Sequence, residues 1–180
     1  MRTLPMAILA VAGIVGSVPM KADFIATATL TPGADGATKS NGSGTVTLDY
    51  NSTADDFTYT LSWTDLTGDA TMAHIHFGAV GVSGPIIVPF FTSSLSGTDT
   101  ITGALTQSDV TPAAGISTIA QVAAAIEDGN AYVNIHTAEY PAGELRGQLE
   151  IAPEPGTSGL LGAALAAATL AIARCRRKYS

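Results

Sequence analysis

A chain of 180 residues with 46% hydrophobic and only 13% charged side chains is neither a disordered polyelectrolyte nor a coiled coil, whose apolar seam needs flanking charges. A formal charge of -7 excludes a nucleic-acid partner gripped by a basic surface. The single Cys permits no intramolecular disulfide, so the fold rests on its own core, and 19 Gly with 23 Thr indicate a β-rich chain with many turns.

In chain order, Arg2, the apolar run Met6 to Val15, and the small residues leading to Ala22 have the layout of a secretory signal peptide over residues 1–22. Cleavage is expected after Ala22, with Ser17 as the alternative. An uncleaved anchor fits less well, because a span takes about 20 apolar residues. Short strands follow. Phe24 to Leu30 is mostly apolar and β-branched. Thr45–Tyr50 puts Val46, Leu48 and Tyr50 on one face, and Phe57–Trp63 puts Phe57, Tyr59, Leu61 and Trp63 on one face. Alternation with period two marks a half-buried antiparallel strand. Further strands are expected at Thr71–Phe77, Pro85–Phe91, Thr98–Leu105, Ala131–His136 and Glu144–Ile151, separated by turn clusters such as Gly78 to Gly84. Ser117–Asp128 departs from this pattern, with Ile119, Val122, Ala123 and Ile126 at helical spacing and Gly129 as a stop. The expected fold is mainly β: an antiparallel Greek-key β-sandwich or barrel of seven or eight strands with one short helix. It occupies residues 23–151, between the signal peptide and a C-terminal apolar helix within residues 152–180.

Residues 23–154 hold all 15 acidic residues and only two basic ones, Lys39 and Arg146, a formal charge of -13. The expectation is a solvated acidic surface on an exported protein. The scattered Asp55, Asp56, Asp65 and Asp69 form no regular calcium loop.

The C-terminal end reads Pro153-Glu154-Pro155, then an apolar run from Gly159 to Ala173, then Arg174, Cys175, Arg176, Arg177 and Lys178. The run spans roughly 23 Å as a helix, short of a hydrocarbon core of roughly 30 Å. The basic cluster would stay on the cytoplasmic side. This order resembles the PEP-CTERM sorting signal of Gram-negative bacteria. The resemblance implies an exosortase-type enzyme as partner and transient inner-membrane anchoring by the C-terminal helix. It also implies a final place in the cell envelope or outside the cell, with Cys175 in the discarded tail.

The residues with chemical potential lie on two strands. Ala73-His74-Ile75-His76 puts two imidazoles on one strand face, with Cα atoms roughly 6.7 Å apart. The third and last histidine is His136 in Tyr132-Val133-Asn134-Ile135-His136. With Ala73, Ile75, Val133 and Ile135 on the core side, all three histidines and Asn134 are expected to point outward. In the last strand Leu145, Leu149 and Ile151 are expected inward, leaving Glu144, Arg146 and Gln148 outward.

Ala73-His74-Ile75-His76-Phe77-Gly78 with Gly81 and Gly84-Pro85 resembles the first signature of the CHRD (chordin-type) domain. Gly129-Asn130-Ala131-Tyr132-Val133-Asn134-Ile135-His136-Thr137 and Pro141-Ala142-Gly143-Glu144-Leu145-Arg146-Gly147-Gln148-Leu149 resemble the second. The resemblance covers about residues 24–151. Where family members often carry Gln-Glu-x-Pro after the first strand, this chain has Pro32-Gly33-Ala34-Asp35.

Two functional readings follow. In the first, the protein is an exosortase-sorted CHRD module of the envelope or extracellular matrix that binds an extracellular polysaccharide or an envelope protein. Its polar cluster then organises the fold: Asn134 ties down the Gly78–Gly84 turn, and Arg146 pairs with Glu144 or Glu139. In the second, it is a periplasmic or extracellular mononuclear metal protein. His74, His76 and His136 would then hold one copper or zinc ion, with Asn134, Glu144, Arg146 and Gln148 as the supporting polar cluster. The His-x-His strand is similar to the copper strand of copper–zinc superoxide dismutase. Three histidines in the whole chain exclude that enzyme's full dinuclear site. No nucleophile stands in an elbow motif with a base, so no catalytic residue is assigned.

Overall fold

The computed structural model describes residues 22–33 and 39–153. The expected signal peptide, through residue 21, and the expected sorting residues Glu154, Pro155, Arg174, Arg176 and Arg177 lie outside the described residues, as does the C-terminal apolar run. Among the described residues no helix is long and apolar enough to cross a membrane.

The strands are β1 (Phe24–Pro32), β2 (Ser43–Asn51), β3 (Asp56–Thr64), β4 (Ala70–Phe77), β5 (Ile86–Phe91), β6 (Asp99–Leu105), β7 (Ala131–Thr137), β8 (Leu145–Gln148) and β9 (Glu150–Ile151). Among the described residues one α-helix, α1 (Ile119–Glu127), directly precedes β7, and a short 3-10 helix spans Gln107–Asp109. Eight strands form one antiparallel path, β5-β4-β7-β8-β1-β2-β3-β6, and β9 adds to β1. The result is a nearly closed, barrel-like sheet. β1 belongs to both halves: Phe24 to Leu30 pairs with β2, whereas Thr31 and Pro32 pair with β8.

Alternation explains β2 and β3. Val46, Leu48 and Tyr50 are buried while Thr45, Thr47 and Asp49 are exposed, and Phe57, Leu61 and Trp63 are buried while Thr58 and Thr60 are exposed. Their turn is fixed locally. The Asn51 side-chain oxygen accepts from the Thr53 and Ala54 amides at 2.9 Å each, and Asp55 takes a left-handed φ of 52°. Tyr50 donates its hydroxyl to Asp55 at 2.8 Å, so this acid is a turn residue.

Across the opening of the path, rings from the two halves meet. Trp63 of β3 stacks on Phe91 of β5 at 5.5 Å, and Tyr59 meets the edge of Phe90 at 4.9 Å. The indole nitrogen of Trp63 donates to the Ser96 carbonyl at 2.8 Å. Helix α1 buries Ile119, Val122, Ala123 and Ile126, the stripe read from its spacing. Thr118 caps it by accepting from the Gln121 amide at 3.2 Å.

The end of the domain requires a correction. The single strand expected over Glu144–Ile151 is two strands, β8 and β9. Leu145 and Leu149 enter the core as expected, but Ile151 is 38% exposed. The Leu149 amide turns back to the Ala131 carbonyl at 3.0 Å, while Glu150 and Ile151 move on to pair with Thr27 and Ala26 of β1. The break resets the phase, so Ile151 does not follow Leu149 inward.

Candidate metal centre

β4 and β7 lie side by side in register, with Ala73 opposite Ile135 and Ile75 opposite Val133. These four side chains are fully buried on the core side. His74, His76, Asn134 and His136 therefore take the opposite face, as the period-two reading requires.

The histidines point away from the core as expected, but that face is covered rather than open to water. His74, His76 and His136 are only 3%, 8% and 7% exposed, Asn134 is 2% and Arg146 is 7%; Glu144, 1% exposed, is bound instead to Ser40, Thr67 and Thr137. Two turns fold over the histidines. The first, between β4 and β5, is held by Arg146, which donates to the carbonyls of Val82 at 2.8 Å and Ala79 at 3.2 Å. Gln148 donates to Gly78 at 3.1 Å, and the Gly84 amide donates to the Tyr132 hydroxyl at 3.1 Å. Gly84 admits no side chain, because a Cβ there would strike the Phe77 carbonyl. The second turn, between β7 and β8, is held by Asn134, which donates to the Ala142 carbonyl at 3.2 Å. Gly143, at a φ of +129°, packs directly on that amide, where any Cβ would collide. Asn134 thus ties the second turn rather than the Gly78–Gly84 turn, which Arg146, Gln148 and Tyr132 hold.

Glu144 closes the second turn from below. It accepts from Ser40 at 2.6 Å, from the Thr67 hydroxyl at 2.7 Å and amide at 2.8 Å, and from Thr137 at 2.6 Å. Burial pushes its pKa up, but the hydrogen bonds from Ser40, Thr137 and Thr67 together hold it below its ordinary value. Arg146 lays its guanidinium on the Tyr132 ring, 3.4 Å from the centroid. The His76 ring, from the neighbouring strand, stacks on the same tyrosine at 4.8 Å and 11°. Tyr132 is the site residue the sequence reading passed over. Its position two before Asn134 in β7 already put it on the histidine face.

The histidines converge. Ring centroids are 5.7 Å apart for His74 and His76, 5.2 Å for His74 and His136, and 6.1 Å for His76 and His136. One nitrogen from each lies within 4.8 Å of the other two. Nδ1 of His76 sits 2.9 Å from the Gly84 carbonyl, and Nδ1 of His136 sits 3.0 Å from the Pro141 carbonyl. A carbonyl can only accept, so both Nδ1 atoms carry a proton, and in the neutral form of either ring the lone pair is on Nε2. Nδ1 of His74 is buried with no hydrogen-bond partner.

Two long stretches of this site, the His-x-His strand with its Gly-rich turn and the segment from Gly129 through Leu149, lie inside the segment that matches a known family. Residues 26–149 match the family model of the CHRD domain. The chain belongs to the CHRD domain family. No curated protein and no solved structure matches it.

In this CHRD domain the histidine cluster carries a measurable pH signature. Burial, then the neighbouring His136 and His76, pushes the pKa of His74 from 6.5 down to about 4. Between those values the unfolded chain binds a proton that the folded metal-free domain refuses. Stability therefore falls as pH drops from 6.5 towards 4, by about 3 kcal/mol. The Glu144 contribution is lost lower, as pH falls below the ordinary carboxylate range. Urea midpoints at pH 7 and pH 4.5 check this, with His74→Gln expected to flatten the change. An unaltered slope in the variant would assign the acid sensitivity elsewhere.

Proposed function

We propose that this CHRD domain binds one metal ion, zinc or copper, through His74, His76 and His136, and does so as an exported module of the cell envelope. The observation that carries the metal reading is the convergence of three buried imidazoles with ligand nitrogens within 4.8 Å. Nδ1 of His74 is buried with no hydrogen-bond partner, which costs free energy unless something pairs with it. An ion bound at about 2.0–2.1 Å from each ligand nitrogen would do so. The carbonyls of Gly84 and Pro141 act as the outer partners that fix tautomer and ring orientation, as metal-bound histidines usually require. An ion there would supply a Lewis acid, or with copper a redox centre, while the chain's own residues hold the rings in orientation.

Metal analysis of protein purified without a polyhistidine tag tests this reading. About one zinc or copper per chain is expected, with loss of the metal and a retained fold in His76→Ala. A metal-free wild type that cannot be reloaded, together with a stability loss in His76→Ala, would favour a purely structural cluster.

The export half of the proposal is supported by the sequence of the two ends. Sorting by an exosortase-type enzyme predicts that mature protein in the native host lacks the Arg174–Lys178 tail. Mass spectrometry of envelope material checks it, and peptides containing Cys175 at full abundance would count against it.

A further inference from the structure

We infer that Met72 is a fourth, sulfur ligand of this centre and that the centre is built for copper rather than zinc; the inference rests on the three-histidine reading above. Met72 lies on β4 directly opposite His136 of β7. From there the register runs without interruption, Ala73 to Ile135 and His74 to Asn134, the irregularity falling before Met72. With Ala73 and Ile75 fully buried in the core, the alternation puts Met72, His74 and His76 on one face, the face that His136 shares. Side chains directly opposed across an antiparallel pair have Cβ atoms about 4.5–5.5 Å apart, and methionine adds three rotatable bonds of reach.

Exposure supports the same assignment. Met72 is 37% exposed, whereas His74, His76 and His136 on the same face are buried. It is therefore the one of these four residues that water reaches most readily. It is also the only methionine among the described residues.

The chemistry of the donor set then selects the ion. A thioether is a soft ligand that favours copper(I), whereas zinc sites draw on imidazole, thiolate and carboxylate. Among the described residues, the cluster around these histidines contains no carboxylate or thiol. Three imidazoles and a thioether bring no negative charge, so a buried monocation costs less to desolvate here than a dication.

The test compares the untagged protein with its Met72→Leu variant, both carrying Cys175→Ser so that the sole thiol does not compete. Copper(I) is titrated against bicinchoninate, and zinc is titrated separately. Met72→Leu should weaken copper(I) by at least about tenfold and leave zinc within about twofold. Melting of the metal-free proteins should be alike, since the residue is partly exposed. Equal copper(I) affinity in the two proteins overturns the sulfur ligand. Stoichiometric zinc with no copper(I) in the wild type overturns the copper preference but keeps the three-histidine site. Binding of neither metal removes both.

Discussion

Saturating the metal-free protein with its ion is expected to raise the melting temperature by about 10 °C, and His136→Ala to abolish the rise. Free metal at about a hundred times Kd stabilises the folded state by about 2.7 kcal/mol. For a domain of this size each kcal/mol moves the midpoint by roughly 2–8 °C. His136 is chosen because it comes from β7, whereas His74 and His76 come from β4. Its loss leaves ligands from β4 alone. The variant also loses the bond to the Pro141 carbonyl, so its metal-free form should melt slightly lower. Calorimetry with and without the ion gives both numbers. A wild type whose melting ignores saturating zinc and copper contradicts the account.

The second large effect is in the core. Trp63→Ala should cost about 3–5 kcal/mol, and Thr60→Ala no more than about 0.5 kcal/mol. The two residues lie on the same strand, three positions apart, and differ in face. Trp63 is 3% exposed, stacks on Phe91 and reaches the Ser96 carbonyl, so its removal opens a cavity where β3 meets β5. Thr60 is exposed, between Thr47 and Thr102 of the neighbouring strands. Denaturant unfolding of both variants decides the matter, and equal costs would mean that the strand phase is inverted.

Phase was legible wherever one face of a strand meets the core and the other meets water. β2 and β3 are such strands, and Val46, Leu48, Phe57, Leu61 and Trp63 are buried as their alternation implies. Phase was also legible in β4 and β7, since Ala73, Ile75, Val133 and Ile135 are core residues and the histidines oppose them. What lies over that second face was not. Alternation says which side a residue takes and nothing about what covers it. The cover consists of two glycine-containing turns whose carbonyls, at Gly84, Pro141, Ala142, Ala79 and Val82, receive the polar side chains. Backbone acceptors leave no trace in a side-chain pattern. The same holds for Glu144, whose partners Ser40, Thr67 and Thr137 come from three separate segments. The break between β8 and β9 escaped for a related reason. It depends on the Leu149 amide meeting Ala131 and on Gly147, where a Cβ would strike the Thr29 carbonyl of β1.

Long-range proton–nitrogen NMR of the histidine side chains tests the central claim most directly, because it reads each ring nitrogen separately. In the metal-free protein near pH 7, His74 should be neutral, and His76 and His136 should carry a proton on Nδ1. One equivalent of metal should then shift Nε2 of His76, Nε2 of His136 and Nδ1 of His74 together, at a single stoichiometric step. Rings protonated on Nε2 in His76 and His136, or nitrogens that stay in place after a full equivalent of zinc and of copper, would contradict it.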